Sequence, residues 1–256
     1  MNMTKQTLTA LALAITGLAM TGCNSSGKSQ SSKIKPAEKV TPITIPAGSE
    51  SDLLPVKAGN SWVYEATSSQ QTPAGNRNQS SEVTFKVIGL EDTADGKEAT
   101  MEVSSDGTVS DKLVWRVSPK GIYEVAGSMA DPKTKALTPV KFEPPLQVVP
   151  FPPTAGTEQT FTISGVRPGA TPGPFSATVT VDGIQEVDTA SGRLSALSTT
   201  QVSTYSENNV RIKSTSTAYW TPKIGIVRYY QELVAVNDKG QTIQTTTTLR
   251  LKSHNP

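Results

Sequence analysis

The sequence predicts an all-β, antiparallel protein made of two duplicated β-meander halves, which form a curved sheet, an incomplete barrel or paired sheets. Apolar and polar residues alternate with a period of two over most of the chain after residue 52. The 19 glycines and 18 prolines supply many turn positions, whereas only 35 % of the residues are hydrophobic. Helical runs rich in Leu, Ala, Glu and Lys are missing beyond residue 22. Short strands joined by turns fit this combination.

Residues 1–22 have the features of an export signal. A short start that carries Lys5 precedes an apolar run at residues 8–20. This run is shorter than the roughly 17–25 residues that span a bilayer. Residues 20–23 (MTGC) resemble the lipobox of bacterial lipoproteins, in which small residues precede a cysteine whose thiolate takes up a diacylglyceryl group. We therefore expect a mature N-terminus at Cys23 that carries acyl chains, palmitate among them, and anchors the protein to a membrane.

The residues after the lipobox predict the membrane to which the protein is anchored and a disordered tether. Residue 24 is Asn rather than Asp, and in a Gram-negative bacterium the resemblance to lipoproteins then implies the outer membrane. In general it implies the cell envelope. Residues 23–52 are rich in Ser, Lys and Pro and contain almost no large apolar side chain. Such a composition predicts a disordered tether, with a reach on the order of 30 Å.

Alternating patterns place the strands of the body. Residues 83–87, 177–182 and 243–251 each have one apolar and one polar face, as in antiparallel sheets with one wetted side. Further strands are predicted at residues 61–67, 98–104, 112–118, 122–126, 195–205, 210–219 and 225–236. The sequences at 208–209 (NN) and 237–240 (NDKG) are predicted hairpin turns.

Three short motifs occur twice, in the same order and at nearly constant spacing. The copies are 55–59 and 152–156 (Pro-x-x-Ala-Gly), 92–96 and 188–192 (Asp-Thr-Ala-x-Gly), and 119–122 and 222–226 (Pro-Lys, then Gly-Ile). Their offsets are 97, 96 and 103–104 residues. One alternative is chance agreement among turn residues in a sequence rich in Gly, Pro and Thr. We interpret the motifs as a duplicated β-meander.

The duplication divides the body into a first half at residues 53–143 and a second half at residues 144–256. Seven prolines lie between residues 132 and 153, where the halves meet. Because the proline nitrogen cannot donate to a β-ladder, this stretch is predicted to be a linker or a sheet edge rather than a central strand.

Two stretches resemble motifs of uncharacterised bacterial envelope lipoproteins. They are residues 54–64 (LPVKAGNSWVY) and residues 219–229 (YWTPKIGIVRY). Those proteins are distantly similar to the curved-sheet lipoprotein carriers of the LolA/LolB type. The resemblance covers short patches of residues 53–230, and it implies an incomplete barrel or a strongly bent sheet that encloses an apolar ligand. No ligand-binding residue carries over from that family.

The sequence offers little for catalysis, metal binding or nucleic-acid binding. Cys23 is committed to lipid, and the single histidine, His254, falls in a C-terminal tail that is expected to fray. Sites of the Ser-His-Asp or Cys-His type, and zinc or copper sites, therefore lack their residues. Without the leader the chain has 23 basic and 22 acidic side chains, and these are dispersed, so nucleic acid is not an expected partner. We expect no catalytic residue, no metal and no cofactor.

Paired carboxylates are the alternative that would make the protein an enzyme. The candidates are Glu65, Glu82, Asp92, Glu102 and Asp188. They are spread over predicted strands and turns, where charged side chains are normally solvated. A non-catalytic protein is therefore expected.

Aromatic residues are the candidates for a ligand surface. They are Trp62, Tyr64, Trp115, Tyr219 and Trp220. Trp62 and Tyr64 point to one face of the same predicted strand. These residues either fill the core or line a concave surface that binds an apolar ligand or a glycan.

Two functions fit these expectations. One is a lipid-anchored, non-catalytic envelope protein that binds a hydrophobic ligand or a partner protein. The other is a structural accessory in the assembly of an envelope complex. A concave apolar pocket favours the ligand, whereas a filled interior with an exposed apolar patch favours a protein partner.

Overall fold

The computed structural model describes residues 44–46, 48–130, 137–164, 175–207 and 209–256. The predicted leader, Cys23 and most of the predicted tether lie outside these residues. The last part of the predicted tether belongs to the folded body, because residues 50–53 form a short helix. Among the described residues, no helix is long and apolar enough to cross a membrane.

The described chain forms one antiparallel sheet after this helix. The elements are α1 (Glu50–Leu53), β1 (Ser61–Thr72), β2 (Gly75–Thr93), β3 (Gly96–Ser105), β4 (Thr108–Ser118), β5 (Gly121–Ala130), β6 (Leu137–Pro150), β7 (Glu158–Ile163), β8 (Phe175–Thr189), β9 (Gly192–Glu207), β10 (Val210–Thr221), β11 (Gly225–Val236) and β12 (Thr242–Asn255). Strands adjacent in sequence pair with each other, except β6 and β7 at the two ends of the sheet, and β12 pairs with β1. The all-β, antiparallel prediction is confirmed.

The sheet curls into a nearly closed barrel with one unsealed seam, between β6 and β7. A single β-bridge between Glu143 and Ser164 joins these two edge strands. The Ser164 amide donates to the Glu143 carbonyl at 2.8 Å, and the Glu143 amide donates to the Ser164 carbonyl at 3.0 Å. β6 carries the prolines at 139, 144, 145 and 150, so the prediction of a proline-rich edge is confirmed.

The interior is packed with the apolar residues of the alternating patterns. In β11, every second residue from Gly225 to Ala235 is buried. β-Bulges interrupt the ladders, for example beside Trp115 in β4 and beside Trp220 in β10. Such bulges bend a strand and increase its twist, which helps the twelve-stranded sheet to curl.

The repeated sequence motifs form matching local structures in the two sets of six strands. The Gly59 amide donates to the Val87 carbonyl at 3.0 Å, and the Gly156 amide donates to the Val181 carbonyl at 2.8 Å. Both glycines have positive φ, +88° and +82°, which suits a residue without a Cβ. In the two Asp-Thr-Ala-x-Gly motifs, the hydroxyls of Thr93 and Thr189 each donate at 2.8 Å to the carbonyl of the glycine three residues later. These matches are what a duplication predicts.

Several elements differ in extent from their prediction. β6 and β7 were not predicted, because β6 is interrupted by prolines and β7 has only six residues. The NDKG hairpin turn is confirmed, with the Gly240 amide donating to the Asn237 carbonyl at 3.0 Å. Asn209 has the positive φ of a turn, +64°, whereas Asn208 lies outside the described residues. The prediction of a frayed His254 is wrong, since this residue lies in β12 and pairs with Trp62 of β1.

Helix α1 and the residues after it cover one end of the barrel interior. Leu53 and Leu54 are buried, and the helix contacts β4 and β11. The Lys223 amide donates to the Asp52 carbonyl at 2.6 Å. The Asn60 side chain donates to the Pro55 carbonyl at 2.7 Å. The segment that leaves the predicted tether thus lies against the barrel core.

Candidate functional site

An apolar cavity lies inside the barrel, next to the buried residues that follow α1. Its volume is about 30 Å³, which is room for one or two water molecules. Its walls are Leu54, Trp62, Tyr64, Phe85, Met101, Trp115, Ile226, Tyr229 and Leu249. The rings of Tyr64 and Phe85 meet edge to face with their centroids 5.4 Å apart. Aromatic side chains therefore occupy much of the interior and leave a narrow space among them.

Trp62 and Tyr64 line this cavity and also hold the barrel together. Both project inward from β1, as their alternating burial requires. The Trp62 indole donates to the Ile224 carbonyl, and the Tyr64 hydroxyl donates to the Ile226 carbonyl at 2.8 Å. Burial raises the pKa of Tyr64 far above its usual value, so its hydroxyl keeps the donated proton. Replacing either residue would change the fold as well as the cavity.

A second, more polar cavity adjoins the first and shares Trp115 and Tyr229 with it. Its volume is about 20 Å³, and its walls are Trp115, Val148, Val179, Thr199, Gln201, Ser216, Ala218, Trp220 and Tyr229. The rings of Trp115 and Trp220 lie 5.6 Å apart and are tilted by 55°. The Trp220 indole donates to the Thr199 hydroxyl at 3.0 Å. The two cavities together form an interior with an apolar part and a polar part.

Polar side chains form a row across four neighbouring strands, and two of them, Gln201 and Ser216, line the second cavity. Gln201, Ser216, Gln231 and Thr247 occupy directly opposed positions on β9, β10, β11 and β12. The Gln231 amide nitrogen donates to the Ser214 hydroxyl at 3.2 Å. Its carbonyl oxygen has no hydrogen-bond partner in the described part of the chain, and neither has the indole nitrogen of Trp115. Buried polar atoms without a partner indicate a site that water or a ligand completes.

Glu124 is a buried carboxyl group opposite Trp115, which lines both cavities. Its side chain is only 3 % exposed, and it lies in the register between Trp115 of β4 and Leu146 of β6. Burial, with a smaller contribution from Asp111, raises the pKa of Glu124 to about 8. Burial also raises the pKa of Tyr229, and the nearby Glu124 adds to that rise. Within the described ranges, no hydrogen bond to the Glu124 carboxyl is found.

Sequence reasoning missed Glu124, although a signal is present. Ile122 and Glu124 are two residues apart on the same face of a predicted strand, and Ile122 is fully buried. An acidic residue at a core position of an alternating pattern is unusual. The bulge at Val125 breaks the pattern directly afterwards, which hides the signal.

The structure brings four of the five predicted aromatic residues together. Trp62, Tyr64, Trp115 and Trp220 are all at least 96 % buried, and each lines one or both cavities. Tyr219 does not join them. It is partly buried, and the guanidinium carbon of Arg228 lies 5.9 Å from its ring centroid.

The acidic residues considered for catalysis do not form a buried cluster. Glu65, Glu82, Asp92 and Asp188 are exposed, and Glu102 is half-buried on β3. The exposed Asp188 accepts a hydrogen bond from Arg193 at 2.9 Å, and this contact lowers its pKa. Over the described residues, no group of three or more His, Cys, Asp and Glu side chains is placed to hold a metal ion.

Comparison with known proteins gives fold-level likenesses only. No family model matches the sequence, and no curated protein matches it significantly. A solved structure from Bacteroides fragilis, described as an exported protein with a YmcC-like fold, has 15 % identity and a TM-score of 0.44, covering 77 % of this chain and 97 % of that one. One from Parabacteroides distasonis, described as a lipoprotein, has 13 % identity and a TM-score of 0.43, covering 77 % and 96 %. The hypothetical lipoprotein YmcC of Escherichia coli has 11 % identity and a TM-score of 0.28, covering 78 % and 88 %.

Proposed function

We propose that the chain is a lipid-anchored cell-envelope protein that binds an apolar ligand inside its barrel and carries out no catalysis. The lining of the barrel interior is the observation that carries this proposal, because aromatic and aliphatic walls with a few polar groups are typical of small-ligand sites. The closed barrel has room for only a few water molecules, so a larger ligand requires the weakly paired seam between β6 and β7 to open. The leader and lipobox support the membrane anchor, and Asn24 supports the outer membrane of a Gram-negative bacterium. Short patches resemble uncharacterised envelope lipoproteins, and the distant similarity of those proteins to LolA/LolB carriers agrees with an enclosed apolar ligand.

A protein partner on the outer surface is the weaker candidate. The large exposed apolar side chains of the described residues are Ile88, Leu90, Val109 and Ile184. They belong to three strands, β2, β4 and β8, which are not adjacent in the sheet. Scattered single apolar residues are normal on a protein surface. The cavity therefore supports ligand binding more strongly than these residues support a docking surface.

Filling the apolar cavity is expected to weaken ligand binding. The probe is N-phenyl-1-naphthylamine, whose fluorescence rises in apolar surroundings, and the protein is residues 23–256 with Cys23→Ser. Met101→Trp adds bulk at a buried cavity wall and should lower probe affinity about tenfold. Ile88→Trp is the matched control, because Ile88 is 45 % exposed on the neighbouring strand. Equal probe affinity in both variants, with folding shown by circular dichroism, would contradict a site inside the barrel.

Locking the seam is expected to slow ligand uptake. The Glu143–Ser164 bridge is the one pairing between β6 and β7 in the described residues, and beneath the seam Phe142 packs on Phe175 with a centroid distance of 6.3 Å. Doubly hydrogen-bonded antiparallel pairs have Cα atoms about 5.5 Å apart, which suits a disulfide.

The variant is Glu143→Cys with Ser164→Cys in the same Cys23→Ser chain, which has no other cysteine. Its oxidised form should take up the probe about tenfold more slowly than its reduced form, measured by stopped-flow fluorescence. The reduced protein is the control. Identical uptake rates in the two forms would show that the ligand does not pass the seam.

The lipid anchor at Cys23 is predicted from the sequence alone, and it can be tested directly. In a bacterial host, the mature protein is expected to begin at acylated Cys23, and Cys23→Ser should leave the chain unprocessed or free of the membrane. Intact-mass spectrometry of the membrane fraction measures both. An unmodified mature N-terminus at any other residue would refute the anchor.

A further inference from the structure

We propose that Arg228 and Arg250 form an anion site on the outer face of the barrel, where a phosphate group binds between them. The group belongs either to a lipid headgroup or to a free phosphate compound. Because the site lies outside the barrel, it does not depend on the interior ligand proposed above. Three observations carry it: two facing arginines without carboxylate partners, a rigidly held guanidinium, and two carboxylates that the second copy of a repeated hairpin lacks.

The two arginines face each other directly. Arg228 of β11 and Arg250 of β12 are partners in the strand register, and both point outward, since the residues on either side of each are buried. Neither forms an ion pair with a carboxylate of the described chain. Arg250 donates a long hydrogen bond, 3.4 Å, to the Thr189 carbonyl. Like charges directly opposite each other destabilise a sheet, so an anion bound between them is stabilising.

Arg228 is held in place but not neutralised. Tyr219 is its partner on β10, and the guanidinium carbon lies 5.9 Å from the centroid of the tyrosine ring. This contact orders the side chain and leaves its charge in place. The Nε atom is buried without a hydrogen-bond partner in the described residues, whereas the two terminal nitrogens reach solvent. These terminal nitrogens are therefore ready to donate to an anion.

The acidic side chains near the pair do not neutralise it by contact. Asp188 accepts a hydrogen bond from Arg193 at 2.9 Å, and this contact is the main cause of its lowered pKa. The charges of Arg228 and Arg250 lower the pKa of Asp188 further, although neither forms an ion pair with it. Glu65, the partner of Arg250 on β1, likewise forms no ion pair with it among the described residues.

The first half of the barrel shows how an outward arginine is neutralised in this fold. Arg116 of β4 bonds to Glu98 at 2.6 and 2.9 Å and to Asp95 at 3.3 Å. The positions 96 residues after these two carboxylates, at the offset of the repeated Asp-Thr-Ala-x-Gly motifs, are Ser191 and Leu194. The second copy of the hairpin thus lacks both carboxylates, and the facing pair of arginines is left to an external anion.

Two guanidinium groups on adjacent strands suit a phosphate group better than a carboxylate. Each planar guanidinium can donate two parallel hydrogen bonds to neighbouring oxygens of an oxyanion. A phosphate group presents three free oxygens and a charge of about −1.5 to −2 at neutral pH. A carboxylate presents two oxygens and a single charge. One phosphate can therefore bond both arginines and outweigh their mutual repulsion.

The experiment uses isotope-labelled residues 23–256 with Cys23→Ser, which contain every described residue. Inorganic phosphate and acetate are titrated separately at matched ionic strength, and the arginine Nε–Hε signals in NMR spectra give the two dissociation constants. Phosphate should bind about tenfold more tightly than acetate. Arg228→Gln and Arg250→Gln should each weaken phosphate binding about tenfold. Arg211→Gln, an exposed change at the opposite end of β10 from Tyr219, is the control and should leave it intact.

Vesicles distinguish the two sources of phosphate. Sedimentation with phosphatidylcholine vesicles that contain phosphatidic acid, lost in Arg228→Gln, assigns the site to a lipid headgroup. Phosphate binding without such sedimentation assigns it to a free phosphate compound. Acetate binding as tight as phosphate binding, no phosphate binding, or equal phosphate binding by Arg228→Gln and Arg211→Gln would overturn the site. The comparison of phosphate with acetate on the unsubstituted chain decides the matter even where a variant fails to fold.

Discussion

Glu124→Gln is expected to stabilise the protein at alkaline pH and to flatten the pH dependence of its stability. In the folded state the pKa of Glu124 is about 8, against an ordinary value of 4.5. The folded state therefore holds a proton that the unfolded state releases between these two values. The resulting contribution to stability is fully present below pH 4.5, and it is lost as the pH rises through about 8. The loss is on the order of 5 kcal/mol.

Urea denaturation between pH 5 and pH 9 measures this effect. The unsubstituted chain should lose stability as the pH rises, whereas Glu124→Gln, which has no ionisable group there, should be the more stable protein at pH 9. Glu65→Gln is the control, because Glu65 is exposed. Parallel profiles for the unsubstituted chain and Glu124→Gln would show that Glu124 is not the titrating group.

Gly96→Ala is expected to destabilise the protein much more than Gly192→Ala, although the two glycines occupy repeated motifs. Both have positive φ, +138° and +131°, so alanine is strained at either position, by about 1–3 kcal/mol. A Cβ at Gly96 would lie 2.5 Å from the Val117 carbonyl oxygen and 2.9 Å from the Ser118 Cβ, whereas at Gly192 nothing lies within 4 Å. Overpacking against backbone adds about 1–3 kcal/mol.

The two alanine variants differ by that overpacking contribution alone, which makes each the control of the other. Denaturant midpoints and slopes measured together give the two free energies of unfolding. Equal losses would mean that the β3–β4 contact at Gly96 is looser than the structure shows.

The strands were largely predictable because burial on one face of a sheet leaves a period of two in the sequence. β11 shows this clearly, and the turns at Asn237 and Gly96 follow from residues that favour them. β6 escaped prediction because an edge strand at a seam needs fewer donated hydrogen bonds and so tolerates prolines. The short β7 faces it across the same seam, where the pairing is a single bridge.

The candidate site was predictable only in part. Trp62 and Tyr64 share a face by spacing alone, but their contact with Ile224 and Ile226 joins residues 162 positions apart. Trp115, Tyr219 and Trp220 are all candidates from the sequence because each lies near the end of a predicted strand. The alternation of side chains along β10 separates Tyr219 from its neighbour Trp220.

The sequence alone thus determined the properties that depend on neighbouring residues: the all-β class, the turns, the repeated motifs and the predicted leader and lipobox. Closure of the sheet decided which residues of distant strands meet, because the curvature and register of all twelve strands together set those distances. That closure places Trp115 against Trp220 and brings Tyr229 near Glu124. It also removes Glu124 from water, and this burial is the main cause of the raised pKa of its carboxyl.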